Sequence, residues 1–236
     1  MKKSLMCLLL LVTTSISAQN IDDFFKISDD FFKTHVKDGK IDYKAIKKNT
    51  DPLGLILEQV KSIRVDIADE QNYKAFWINT YNILVIKGIV NQFPVASPLD
   101  IDGFFDKNKF DAGGMSVTLN EIENKLLRSE FKDPRLHFVL VCGAVGCPPL
   151  ISNVYKPNTL EQQLTTQTKK AINSNFIKIN YKKKRVQVSQ IMEWYKEDFI
   201  LNGNEIDFIN KYLEEPISKK YKLSYFKYNW QLNIQP

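Results

Sequence analysis

The chain has 236 residues, 44% of them hydrophobic, with 33 lysines and arginines against 27 aspartates and glutamates and a formal net charge of +6. That length suits one domain with a core of its own, and the charge is too mild to mark a nucleic-acid binder. Two histidines and three cysteines, without a C-x-x-C or H-x-x-x-H pair, make no zinc framework, and no phosphate loop or dinucleotide fingerprint occurs, so neither metal nor cofactor is expected.

Lys2 and Lys3, the apolar run Leu5 to Val12 containing Cys7, and Ile16-Ser17-Ala18 read as a signal peptide over residues 1–18, cleaved before Gln19. The apolar run falls short of the roughly 20 residues that span a bilayer, so the mature chain is expected to be exported, periplasmic or secreted, without a transmembrane segment. Residues 19–64 then read as an N-terminal helical segment packing on the core. Phe24, Phe25, Ile27, Phe31, Phe32 and Val36 recur at helical spacing, Asp38-Gly39 breaks the helix, and Pro52 to Ile63 forms the next one.

Residues 65–236 read as the main domain. Asn72 to Phe93 is the strongest helix pattern, and Lys109 to Val117 is a hairpin around Gly113-Gly114. Thr118 and Glu121 make a capping box, and the helix it opens turns Ile122, Leu126 and Leu127 inward. The apolar run Leu136 to Cys142 reads as a buried strand, Asn158 to Asn173 as a helix, and Lys182 to Arg185 as a solvated hairpin turn. Ser189 to Phe199 and Glu205 to Leu213 read as a closing helical region and Tyr225 to Leu232 as an aromatic strand. Helices and hairpins without βαβ alternation predict a single-domain α+β fold, helices packed around a small mixed or antiparallel sheet.

Both cysteines of the mature chain flank the loop that ends the Leu136–Cys142 run. Strand ends that open into Gly-containing loops are common sites of chemistry. With four residues between them, Cys142 and Cys147 are able either to close a small ring or to remain a reactive thiol and a buried one. His137 is the obvious base for a Cys147 nucleophile, but a straight strand from 137 to 142 would separate its ends by about 16 Å at ~3.3 Å per residue. The same histidine also reads as a satisfied residue at a strand start, and Cys147 as a small buried side chain.

Asn79 and Asn82 share an otherwise apolar helix face and must be hydrogen-bonded, either tying down a loop or lining a polar pocket. The cleft between this helix and the cysteine loop is therefore the candidate site. Cys147, His137, Asn79 and Asn82 are its candidate catalytic residues. Cys142, Gly143, Gly146, Trp77, Glu123, Trp194 and Asp198 are its candidate binding residues, the last two falling four apart on one side of a helix.

Three stretches, Ala75-Phe76-Trp77-Ile78-Asn79-Thr80-Tyr81-Asn82, Leu119-Asn120-Glu121-Ile122-Glu123 and His137 to Leu150, resemble the domain of unknown function 547 family, and the likeness continues through Tyr155, Leu160, Gln163-Leu164 and Trp194-Tyr195-x-x-Asp198-Phe199. The resemblance implies a Cys-Pro at Cys147 and a histidine at His137, with no established reaction. It also implies that many members carry a histidine where this chain has Asn124, and that some eukaryotic relatives join the domain to glutaredoxin-like or signalling modules.

Three functions follow. One is a thiol-dependent hydrolase or transferase of the papain or transglutaminase sort. There Asn79 or Asn82 orients the base or holds the oxyanion with the 143–146 backbone. Another is a binding module with structural cysteines, and a third is thiol–disulfide exchange between Cys142 and Cys147. In each the partner is a small molecule or peptide.

Overall fold

The computed structural model describes residues 21–236, and the signal-peptide reading of residues 1–18 lies outside the described residues. Helix α1 (21–35) buries Phe24, Phe25, Phe31 and Phe32. Asp38 and Gly39, both at positive φ (52° and 78°), then turn strand β1 (Val36–Lys37) onto β2 (Lys40–Ile41). Positive φ at both central positions is what a two-residue hairpin turn requires, and Asp-Gly tolerates it. Helices α2 (Tyr43–Lys48) and α3 (Asp51–Ser62) follow, the first capped by the Asp42 carboxylate, the second opened by Pro52.

The centre of the molecule is α4 (Glu70–Gln92), buried on every side from Tyr73 to Val90 apart from half-buried Lys87. A helix apolar almost all round belongs inside the protein. It anchors a large core with α1, α3 and the hairpin β3 (Phe110–Ala112) and β4 (Met115–Val117). The Thr118–Glu121 capping box forms, both hydrogen bonds present. The helix it starts, α5 (Leu119–Glu121), widens into a π-helical segment (Ile122–Arg128) before α6 (Ser129–Phe131). Ile122 and Leu127 are buried there and Leu126 is half-buried.

A second, smaller core lies beneath a three-stranded sheet. Strand β5 (Ile177–Asn180) pairs antiparallel with β6 (Arg185–Ser189), and β7 (Lys222–Phe226) adds to β6 in parallel. The turn at 181–184 is exposed, as a charge run should be. Helix α7 (Leu160–Ile172) comes before this sheet, and α8 (Gln190–Trp194), α9 (Lys196–Phe199) and α10 (Glu205–Asn210) lie between β6 and β7. The fold is α+β, and no helix among the described residues is long and apolar enough to cross a membrane.

Two expected strands are corrected. Residues 134–138 form a 3-10 helix instead of the start of a strand, because Asp133 accepts from the Arg135 N–H and Pro134 presets the first turn. Residues 139–142 then run outside any strand. Asn82 substitutes for the missing neighbour: its Nδ2 donates to the Val139 carbonyl and its Oδ1 accepts from the Val141 N–H, both at 2.9 Å. One side chain thus mimics one rung of a sheet. Asn79 does likewise one turn earlier, donating to the Tyr155 carbonyl at 2.8 Å and accepting from the Tyr155 N–H at 3.0 Å.

The aromatic closing segment is the second correction. Strand β7 stops at Phe226, and the chain beyond it runs across the cysteine loop. Val145 N–H donates to Gln231, Gly146 N–H to Asn229 and Asn233 N–H to Gly143, while Ile41 exchanges bonds with Asn233 and Gln235. The C-terminal segment therefore ties the cysteine loop to the N-terminal hairpin. Cys147 packs against both cores, at their seam.

Replacing Asn82 by alanine leaves a buried carbonyl and a buried N–H unpaired, each costing about 1–3 kcal/mol. Asn82→Ala should lower unfolding free energy by roughly 2–4 kcal/mol in urea titrations. A loss below about 0.5 kcal/mol, the usual limit for surface changes, would show that the 139–141 segment does not depend on it.

Candidate active site

A cavity of about 330 Å³ opens at that seam, with Cys142, Cys147, His137 and Glu123 in its wall. Both cysteines are free and half-buried. The Cys147 sulfur accepts from the Cys142 N–H at 3.0 Å and lies 2.8 Å from the Tyr228 hydroxyl, which is also 2.9 Å from the Cys142 sulfur. Gly143, at φ 84°, lets the loop fold back so that these groups converge. Burial opposes ionisation of Cys147, but hydrogen bonds from the Cys142 thiol, the Tyr228 hydroxyl and the Ala144 and Cys142 N–H groups outweigh it and lower its pKa. Burial and its bond to Cys147 push the Cys142 thiol well up. The loop thus makes the two thiols unequal, Cys147 the more acidic and Cys142 the less.

His137 ends the 3-10 turn, its ring stacked on Tyr195 with centroids 4.1 Å apart. Its Nε2 lies 2.6 Å from Asp198 Oδ2, which also accepts from Arg128 Nε at 2.8 Å. Burial alone would raise the Asp198 pKa, but the His137 and Arg128 hydrogen bonds hold it down to about 2. An ionised carboxylate only accepts, so His137 carries its proton on Nε2, and Nδ1 is the nitrogen left to act as a base. Arg128 is fixed in turn, bonded to Asn124 and lying 4.5 Å from the Tyr195 ring centroid. Asn124, where the resemblance implies a histidine in many members, sits in this second layer, donating to Asn120 at 2.8 Å.

The remaining wall is aromatic. Tyr228 and Trp230, two residues apart after β7, pack with ring centroids 4.7 Å apart, and Trp194 lies on both. Trp194 is 46% exposed and forms part of the cavity wall. Glu123, on the first turn of the π-helical segment, accepts from the Tyr81 hydroxyl at 3.3 Å. Helices that widen in this way often mark functional positions. Among the described residues no group of three or more His, Cys, Asp or Glu is arranged to hold a metal.

The predicted site residues divide into two sets. Cys142, Cys147, His137, Glu123 and Trp194 face one cavity, and Asp198 supports it through His137. No strand runs from His137 to Cys142: the 3-10 turn ends at Phe138, the chain then runs irregularly, and His137 and Cys147 line one cavity. Asn79 and Asn82 are fully engaged with backbone behind the cavity, and Trp77 is a buried core residue packed against Gly113. Gly146 contributes by absence: a Cβ there would come within 2.8 Å of the Tyr228 ring. Two of the loop N–H groups expected to hold an oxyanion, those of Val145 and Gly146, are already taken by Gln231 and Asn229. Tyr228 and Trp230 were missed in the sequence, although their spacing of two in an extended segment puts both on one side.

Two outcomes follow. Tyr228→Phe removes a donor to the Cys147 thiolate and should move the pH midpoint of iodoacetamide capture at Cys147 up by about 1; an unchanged midpoint would show that the hydroxyl does not hold the thiolate. The lowered Asp198 pKa contributes stability that is complete above the ordinary carboxylate value and lost as pH falls through about 2. The stability gap between wild type and Asp198→Asn should therefore shrink by about 2 kcal/mol between pH 5 and pH 2. A pH-independent gap in denaturant unfolding would contradict it.

Comparison with known proteins gives one match. No curated protein and no solved structure matches the chain. Residues 65–172 match the model of the family described as "Protein of unknown function, DUF547". That segment holds Glu123, His137, Cys142 and Cys147, whereas Trp194, Asp198, Tyr228 and Trp230 lie beyond it. The segment 65–172, with the cysteine loop and its histidine, is what the chain shares with the DUF547 family.

Proposed function

We propose that the protein is a thiol-dependent hydrolase or transferase, with Cys147 as nucleophile and the His137–Asp198 pair as its acid and base. The observation that carries this reading is the Cys147 sulfur, which is surrounded by hydrogen-bond donors at the wall of a cavity shared with His137. In the first half-reaction the thiolate adds to a carbonyl carbon. The bond to the leaving group breaks, the leaving group takes a proton from His137, and a thioester remains on Cys147. In the second half, water or an acceptor amine adds to the thioester as His137 Nδ1 takes its proton. The acyl product departs and the thiolate returns. Asp198 stays ionised throughout and steadies the imidazolium, with Arg128 fixing its position.

The shared Tyr228 hydroxyl and the unequal acidity of the two thiols favour a second reading, thiol–disulfide exchange, with Cys147 attacking and Cys142 resolving. Export as a soluble periplasmic or secreted protein would suit either activity.

The test is p-nitrophenyl acetate with the folded protein. Acyl transfer predicts a burst of nitrophenol equal to the enzyme concentration and an acetyl thioester on Cys147, absent in Cys147→Ser. His137→Ala should slow turnover by about 10²–10⁴-fold. No burst, together with turnover of a mixed disulfide substrate that requires both Cys142 and Cys147, would replace this reading with the second. Neither activity would leave a binding module.

A further inference from the structure

The cavity has an uneven electrostatic character that the chemistry at Cys147 does not explain. Its wall contains a carboxylate, Glu123, and the more acidic of the two thiols, Cys147, but no lysine or arginine. Glu123 is half-buried and forms no ion pair among the described residues; it accepts from the Tyr81 hydroxyl at 3.3 Å and lies within hydrogen-bonding reach of the Tyr195 hydroxyl. Arg128, a guanidinium in the neighbouring layer, is committed to Asp198 and Asn124. His137, the other group able to carry positive charge, is paired with Asp198. Opposite these groups lies the aromatic wall of Trp194, Tyr228 and Trp230.

The Arg128 guanidinium acts on Glu123 only across space and forms no ion pair with it, and ring faces attract cations. An anion entering the cavity would meet Glu123 and the Cys147 sulfur with no lysine or arginine in the wall, and the one basic side chain there, His137, is held by Asp198. A neutral aromatic would cover the rings and desolvate Glu123 without compensation. The +6 charge of the whole chain pulls the other way, towards anions, so a preference for cations would have to come from the cavity itself.

We infer that the ligand of this cavity carries a positively charged nitrogen, an alkylammonium group, that pairs with Glu123 while its apolar body lies along the Trp194–Tyr228–Trp230 wall. The cavity volume of about 330 Å³ suits one small molecule or one side chain. The inference deepens the proposed reading and rests on it for the thiol chemistry: the substrate of Cys147 is a cationic acyl compound or peptide, as opposed to a carboxylate or phosphate ester.

The probe pair is benzyltrimethylammonium and phenylmethanesulfonate, similar in size and opposite in charge, titrated into the full chain at matched ionic strength with tryptophan fluorescence as readout. Saturable binding of the ammonium at least about tenfold tighter than that of the sulfonate is expected, with Glu123→Gln weakening the ammonium about tenfold. Glu123→Gln keeps an acceptor for Tyr81, and the wild-type comparison of the two ions needs no variant. Equal or tighter sulfonate binding, absence of saturable ammonium binding, or an unchanged affinity in Glu123→Gln would each overturn the inference. Since no thiol reacts in this titration, its outcome is independent of acylation at Cys147. Ammonium binding without acylation would retain the cation site and remove the enzyme, and the converse would retain the enzyme and remove the ligand class.

Discussion

The side-chain amide of Asn82 occupies the place of a missing strand. The 139–141 backbone is buried against α4, where unpaired N–H and C=O groups are not tolerated, and one amide satisfies both. Asn79 does the same for Tyr155, on the far side of the cysteine loop. Between these two fixed points the chain from 142 to 154 has little freedom, and the positions of Cys142 and Cys147 follow from it. A strand partner would have needed a whole additional segment, whereas two amides on a helix that is already buried achieve the same result.

The site is completed by parts far apart in sequence. The family-matching segment contributes the thiols, the histidine and Glu123, and the later chain contributes the carboxylate behind the histidine and the aromatic wall. The C-terminal segment has two functions. Its backbone ties down the cysteine loop at Val145, Gly146 and Gly143, and its Tyr228 side chain reaches the sulfurs over a glycine. Thiol acidity is therefore set by Cys142, Ala144 and Tyr228, all part of or packed on the second core, while Cys147 itself touches both cores.

Much of the fold was legible because it rests on local signals. Helical periodicity located α1, α3 and α4, Gly-Gly and the 182–185 charge run located two hairpins, Asp-Gly marked only the end of α1, and Thr118 with Glu121 located the capping box. The apolar run 136–142 reads as a strand because burial on all sides looks the same for a strand as for an irregular segment between two cores, and the Asn82 amide that replaces its ladder is 57 to 59 residues away. The cavity pair Cys147 and His137 was legible as residue types near a loop. The objection to their meeting rested on the strand that does not form. Tyr228 and the His137–Asp198 pair depend on contacts across 81 and 61 residues of sequence, which no local pattern encodes. The π-helical turn at Glu123 likewise leaves no periodicity to read.

All of this converges on the ionisation state of one sulfur. The measurement that bears on it most directly is the ultraviolet absorbance of thiolate against pH, taken as the difference between the folded protein and Cys147→Ser. A titration step with a midpoint well below the free-thiol value of about 8.5 is the predicted result. A midpoint at or above that value, or no difference between the two proteins, would mean that Cys147 is an ordinary buried thiol and that the donors around it serve packing alone.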